Sequence, residues 1–239
     1  MAGHSKWANI KHKKGKADAK KGKIFSRCAK EIISAVKQGG PDSKANTKLR
    51  LALQKAKAAN VPSDVIERNI KKASSADQAD FTELTYELYG HGGVGIIVDA
   101  MTDNKNRTAS DMRIATNKKG GSIASPGSVA FNFERKGVLQ IDKSEGNEET
   151  LFMHVTDAGA DDFDVADDTY IVTTAPEMLY EIKEKIEALG VKVKEASLEM
   201  IPKTTVAVDG DTKASNEALI EFLEELDDVD VVFHNMEDS

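Results

Sequence analysis

A mixed α+β fold with an all-helical beginning is predicted by three observations. Apolar residues recur at helical spacing from Asp18 to Ala73, alternate with a period of two after Asp80, and then settle into one βαββαβ unit. The 239 residues are enough for two or three domains of about 100–150 residues each.

Residues 1–17 carry Lys6, Lys11, Lys13, Lys14 and Lys16 around Trp7 and His12, with no acid and no apolar periodicity, which predicts an irregular arm. From Asp18 to Gln38 the chain turns helical. Phe25, Cys28, Ile32 and Val36 form the stripe, Asp18 is the expected N-cap, and Gly39 and Gly40 are the stop. Ala45, Leu49, Ala52 and Ala56 predict a second helix over 43–59. Val65, Ile66 and Ile70 predict a third, from Pro62 to Lys72. Three short amphipathic helices joined by brief turns make a small bundle.

Leu84, Tyr86 and Leu88 alternate with Glu83, Thr85 and Glu87, as a half-buried strand requires. The turn Gly90-His91-Gly92-Gly93 leads into a buried strand over 94–101. A polar entry loop of Asn104, Lys105, Asn106 and Arg107 precedes a helix over 107–119, stopped by Gly120 and Gly121, and 129–133 reads as extended. The regular unit follows: strand 138–141, helix 148–158, a hairpin of 163–165 with 170–173, helix 176–189 and strand 191–200. Thr174 and Glu177 fit a capping box for the second of these helices, and Gly190 its stop. This is the ferredoxin-like order. Beyond it, 206–208, 215–226 and 229–233 form a strand–helix–strand too small to stand alone. The incomplete sheet before Phe133 is the expected place for it.

Charge divides the chain. Up to Ala73 there are 19 Lys and Arg against 5 Asp and Glu, a formal +14; the remaining 14 bases and 35 acids give −21, so the overall −7 hides the contrast. A dense cationic stretch is the footprint of a phosphate-rich partner, because it releases counterions condensed on a polyanion. The candidate nucleic-acid contacts are therefore Lys6, Trp7, Lys11, His12, Lys13, Lys14, Lys16, Lys20, Lys21, Lys23 and Arg27, opposed only by Asp18. Trp7 can stack on an exposed base or pin the arm to the body. A second cluster, Asn104, Lys105, Asn106, Arg107, Arg113, Lys118 and Lys119, interrupts the acidic body; amides at a helix start beside Asn and Arg suit phosphate, a solvated helix face being the alternative.

Other chemistry finds little support. Gly90-x-Gly92-x-x-Gly95 matches a dinucleotide fingerprint as text, but a strand follows it where the fingerprint needs a helix. A nucleotide-binding enzyme is thus the weaker rival reading. The five histidines are scattered, and Asp161, Asp162, Asp164, Asp167 and Asp168 lack the glycine and distal Glu of a calcium loop, so no metal, cofactor or catalytic residue is expected. A single cysteine, no secretory leader and no apolar run long enough for a bilayer predict a cytoplasmic protein without a membrane partner or small-molecule substrate.

Long strings in this chain resemble the YebC/PmpR family, which includes the mitochondrial translational activator of cytochrome oxidase subunit one. They are Ala-Gly-His-Ser-Lys-Trp-Ala-Asn-Ile-Lys-His at 2–12, Asp18-Ala-Lys-Lys-Gly-Lys, Asn60-Val-Pro-Ser-Asp-Val-Ile-Glu-Arg and Tyr89-Gly-His-Gly-Gly-Val-Gly-Ile-Ile-Val-Asp-Ala. To these are added Thr102-Asp-Asn-Lys-Asn-Arg-Thr and Gly127-Ser-Val-Ala-Phe-Asn-Phe-Glu-Arg-Lys-Gly. Gly121-Ser-Ile-Ala-Ser-Pro departs from the family's usual Gly-Asn-Leu-Gly-Ser-Pro. The resemblance implies three domains: a helical bundle (1–78), a central α/β domain (79–132 with 205–239), and a ferredoxin-like domain (133–204) inserted in the central one. It also implies a cytoplasmic, DNA-binding transcriptional regulator. The alternative is a translation factor that binds the ribosome and its RNA and relieves stalling at proline-rich stretches, with contacts on the arm and on Asn104–Arg107.

Overall fold

The structure, a computed structural model, describes residues 17–73 and 80–237, with the side chains described from Gly22 onward. Helices α1 (Ala17–Gly39), α2 (Thr47–Ala58) and α3 (Ser63–Ala73) come first, followed by β1 (Thr82–Tyr89), β2 (Gly95–Thr102), α4 (Lys105–Lys119) and β3 (Ser122–Ile123). Next are β4 (Phe133–Asp142), α5 (Glu148–Ala158), β5 (Asp162–Val165), β6 (Thr169–Thr174), α6 (Leu179–Ala188) and β7 (Val193–Pro202). Helix α7 (Gly210–Glu225) and β8 (Val229–His234) end the chain.

Two compact units result. Phe131–Thr205 forms one; the described part of Lys13–Ala130, with Val206–Met236, forms the other, so the first is an insertion in the sequence of the second. In the larger unit the three helices bury Cys28, Ile32 and Val36 against Leu49, Ala52, Ala56 and Ile66. Cys28 is a packing residue, and its burial pushes the thiol pKa up. The sheet of this unit has the order β3-β1-β2-β8, antiparallel throughout. Leu88, Ile96 and Val98 on one face pack against Met112 and Ala115 of α4 and Leu219 and Leu223 of α7. The strand–helix–strand at the end of the chain completes this sheet, though its first piece is a single bridge between Val206 and Met236 rather than a strand.

The smaller unit is the ferredoxin-like βαββαβ fold, with the antiparallel order β5-β6-β4-β7. Leu139, Ile141, Tyr170 and Val172 form its core with Leu151 and Val155 of α5 and Ile182 and Ile186 of α6.

Local differences from the sequence reading have local causes. Asp18 lies inside α1 rather than capping it. Helix α2 begins at Thr47 because Asn46 caps it, its side chain accepting from the Leu49 amide. The capping box of Thr174 and Glu177 does not form. Thr174 ends β6, its hydroxyl donates to the Ala175 carbonyl, and a 3-10 turn (Pro176–Met178) leads into α6. Residues 130–132 are a 3-10 turn, not strand. Asp209 caps α7 five residues earlier than the apolar stripe alone suggests.

Candidate nucleic-acid interface

Helix α4 is built with two unlike faces. Thr108, Met112, Ala115 and Thr116 are buried against the sheet, while Lys105, Asn106, Arg113, Lys118 and Lys119 are exposed. At 1.5 Å per residue these cations spread over roughly 20 Å of helix. At the C-terminal end the ammonium groups of Lys118 and Lys119 lie 5.7 and 5.8 Å from the Phe222 ring centroid, which steadies them near the last turn.

The start of α4 is not the entry loop the sequence suggested. Lys105 to Arg107 already belong to the helix, and Asn104 is its N-cap, its side-chain oxygen accepting from the Arg107 amide at 3.1 Å. The cap occupies one of the amides that would otherwise face an anion. Arg107 is also committed. Its Nη2 donates to both oxygens of Asp228 at 2.9 and 2.8 Å and to Asp103 at 2.8 Å, and its Nε to Asp228 at 3.0 Å. Thr102 and Thr108 donate to the same Asp228 oxygen. Burial pushes the Asp228 carboxyl up, but these hydrogen bonds outweigh it and hold the pKa below the usual carboxylate value.

Helix α1 turns Lys23, Arg27 and Lys30 inward. Lys23 Nζ donates to the carbonyls of Glu224 and Leu226 at the C-terminal end of α7, and burial pulls its pKa down. Arg27 Nε donates to Glu31 at 3.0 Å and lies 3.7 Å from Asp230. Lys23 and Arg27, expected from sequence to meet phosphate, therefore dock the bundle onto the sheet, and Arg107 helps to build that joint. Lys30, which sequence reasoning passed over, reaches the Met101 and Asp227 carbonyls at 3.0 Å, and Lys55 pairs with Glu31 at 2.5 Å. The legible signal was the spacing of Lys23, Arg27 and Lys30, which puts all three on one side of a helix. Burial pushes Asp230, at the centre of this joint, up to about 6 despite Arg27 beside it.

Lys6, Trp7, Lys11, His12, Lys13, Lys14 and Lys16, and the side chains of Lys20 and Lys21, lie outside the described residues. A basic surface missing from the sequence reading does appear on the bundle: Lys44, Arg50 and Lys57 are exposed in and beside α2, a helix without any acid.

The glycine-rich turn has a packing role. Buried Asn216 accepts from the His91 amide at 2.8 Å and donates to the His91 carbonyl at 3.0 Å, and a Cβ at Gly90 would come within 2.3 Å of its oxygen. The His91 ring in turn meets the Lys119 carbonyl at 2.8 Å. The turn thus ties α7 and the end of α4 to the sheet. Among the described residues no group of three His, Cys, Asp or Glu could hold a metal ion, and no helix is long and apolar enough to cross a membrane.

Two family models match in tandem: the TACO1/YebC N-terminal domain over residues 5–76, and the TACO1/YebC second and third domain over 81–236. The chain belongs to the TACO1/YebC family. Its TACO1/YebC relatives include a probable transcriptional regulatory protein of Protochlamydia amoebophila, 67% identical over 99% of this chain and 96% of that one. One of the same description from Chlamydia abortus is 58% identical over 99% and 100%. The crystal structure of a conserved hypothetical protein from Aquifex aeolicus is 43% identical, with a TM-score of 0.82 over 97% of this chain and 96% of that one. The names of the relatives support a regulator-type role for this member.

Proposed function

We propose that this chain is a non-enzymatic, cytoplasmic regulator of gene expression that binds nucleic acid, with DNA as its target; the description of its relatives as probable transcriptional regulatory proteins supports a regulatory role. The lysine-rich arm supplies contacts to the phosphate backbone. The outer face of α4 supplies a second set through Lys105, Arg113, Lys118 and Lys119, with Asn106 among them, and Arg50 and Lys57 of α2 add to the field. The observation that carries this reading is the sorting of cations on the folded chain. Lys23 and Arg27 are spent on an internal joint and the half-exposed Arg107 is held by Asp103 and Asp228, whereas the other cations of α4 are exposed on an otherwise acidic body.

One observation favours the second reading, structured RNA on the ribosome. Helices α2 and α3 follow each other across a short turn, as in a helix-turn-helix reader. The leading turns of α3 nevertheless present Asp64 and Glu67, where a DNA-reading helix would meet base edges and phosphates. Backbone and shape recognition, the usual mode on folded RNA, does not need such a helix.

The test is co-sedimentation of the wild type and a Lys11/Lys13/Lys14→Glu variant with ribosomes, beside gel shifts on promoter fragments at matched salt. Saturable, sequence-discriminating DNA binding supports the first reading. Ribosome binding lost in the variant, with only salt-fragile DNA binding, establishes the second. Failure to bind either polymer overturns both.

A further inference from the structure

The ferredoxin-like unit carries the opposite charge from the arm. Residues 131–205 hold 17 Asp and Glu against 8 Lys and Arg, and the segment 148–168 holds 8 acids and no Lys or Arg at all. That segment is α5, β5 and the turn after it, and it also exposes apolar side chains. Phe152 and Met153 are each 53% exposed on α5, and Val165 is 38% exposed on β5. The Phe152 ring meets Phe163 of β5 edge-on at 5.9 Å, and Phe163 stacks on the buried Tyr170 at 5.3 Å, so helix and strand form one continuous apolar surface. Strand β5 is the end strand of its sheet, and among the described residues its ladder runs only to β6. Asp157 lies one turn beyond Met153, with Asp161 and Asp162 at the start of β5 and Asp168 in the turn that follows.

We propose that this surface docks an extended, Lys/Arg-rich protein segment with interspersed apolar side chains, laid along the outer edge of β5. Charge selects the occupant. Lys136 of β4 pairs with Asp161, yet the segment with its 8 acids stays strongly negative, so a nucleic-acid strand is repelled whereas a basic segment gains. Geometry selects the mode. In an added strand, side chains alternate between faces, so one face lies on Phe152, Met153 and Val165 while the other turns its cations to the aspartates. An exposed apolar patch and an open strand edge are features that a monomer ordinarily covers or charges against self-pairing. Here the acids repel a second copy of the same surface and attract a basic partner. In a gene-expression factor, this places nucleic acid on one unit and a basic protein on the other.

The experiment is fluorescence anisotropy of the full chain with a short labelled peptide of alternating Lys and Leu, beside a Glu–Leu peptide and a Lys–Ser peptide. The expected result is saturable binding of the Lys–Leu peptide alone. The double variants Phe152→Ser/Met153→Ser and Asp157→Lys/Asp162→Lys should each weaken it about tenfold or more. All four substituted side chains lie on exposed positions, and unchanged unfolding midpoints would show that the fold survives. The proposal is overturned if the Lys–Leu peptide does not bind, if the Lys–Ser peptide binds equally, or if the Phe152/Met153 variant binds as the wild type does. Sedimentation showing a dimer that this variant dissociates would overturn it too, by assigning the patch to self-association. None of these outcomes touches the salt-dependent polyanion binding assigned to the arm and α4, so the two readings fail separately.

Discussion

Arg107 at the start of α4 holds Asp228, just before β8, with three hydrogen bonds of 2.8–3.0 Å to its two oxygens. The same carboxylate takes the Thr102 and Thr108 hydroxyls and lies 3.7 Å from Lys30 of α1. One acid thus joins the sheet, the helix that presents the outer cations, and the bundle. Charge-assisted bidentate pairs of this kind fix geometry as well as energy. Asp228→Ala would take one acceptor from Arg107 and from the Thr102 and Thr108 hydroxyls, but Asp103 still serves the half-exposed Arg107 and the Asn104 carbonyl still serves Thr108, so the loss should be about 1–2 kcal/mol of stability. Urea unfolding would measure it. Arg107→Lys keeps the charge but loses the fork, and should fall between the variant and the wild type.

Asp230 predicts a pH dependence of opposite sign. Its carboxyl is buried against α1, facing Arg27, Lys30, Glu31 and Lys55, and burial raises its pKa to about 6. An unfolded Asp titrates near ~3.9, so the folded chain binds this proton more tightly. The cost of the buried charge is therefore full above pH 6 and is relieved as pH falls from about 6 towards 4. Asp228 works the other way: its depressed pKa gives stability that is present above the unfolded value and lost as pH falls below it. Asp230→Asn should therefore raise stability at pH 7 by roughly 2 kcal/mol and flatten the profile between pH 4 and 6. Thermal melts across that range would decide it. A variant with the wild-type slope would show that Asp230 is solvated in solution.

The glycine turn gives a prediction that separates packing from backbone strain. At Gly90 an added Cβ would lie 2.3 Å from the oxygen of buried Asn216, which already bridges the His91 amide and carbonyl. Gly90→Ala must displace that clamp and should destabilise by about 2–3 kcal/mol. Gly93 has φ +82 with nothing within 4 Å of an added Cβ, so Gly93→Ala should cost only the left-handed conformation, about 1 kcal/mol. Equal losses would refute the role of Asn216.

What the sequence made legible was whatever repeats. The stripes Cys28–Ile32–Val36 and Leu179–Ile182–Ile186 gave helices, and the alternation of Leu84, Tyr86 and Leu88 gave a strand, because burial of one face imposes those periods. The incompleteness of the last strand–helix–strand pointed to the sheet it joins. Partnerships between remote side chains left no such mark. Lys23, Arg27 and Arg107 read as free cations because their partners Glu224, Asp230 and Asp228 lie about 120–200 positions away. N-caps were not legible: Asp18 lies within α1, and Asn46, Asn104 and Asp209, which do cap their helices, carry no periodic signal that marks them. Thr174 followed by Glu177 has the letters of a capping box, yet Thr174 serves as the end of a strand.

Salt dependence separates the cations that meet a polyanion from those that hold the fold. Each phosphate contact removed should lower the slope of log affinity against log salt by about 0.9 on duplex DNA and about 0.7 on single strands. Lys118→Glu/Lys119→Glu, on the exposed end of α4, should weaken binding across sequences and lower that slope by about 1–2, at a cost of about 1 kcal/mol in unfolding from the lost Phe222 contacts and the reversed charge at the helix end. Lys23→Ala and Arg27→Ala should do the reverse. Lys23 releases the carbonyl end of α7 and Arg27 leaves Glu31 and Asp230 facing each other, so stability falls while the slope of the folded protein stays near wild type. The discriminating measurement is binding across a salt series at a temperature where every variant is fully folded. Should Arg27→Ala lower the slope as much as the α4 variant does, the inward-facing cations would also be reaching phosphate, and the division between joint and surface would be wrong.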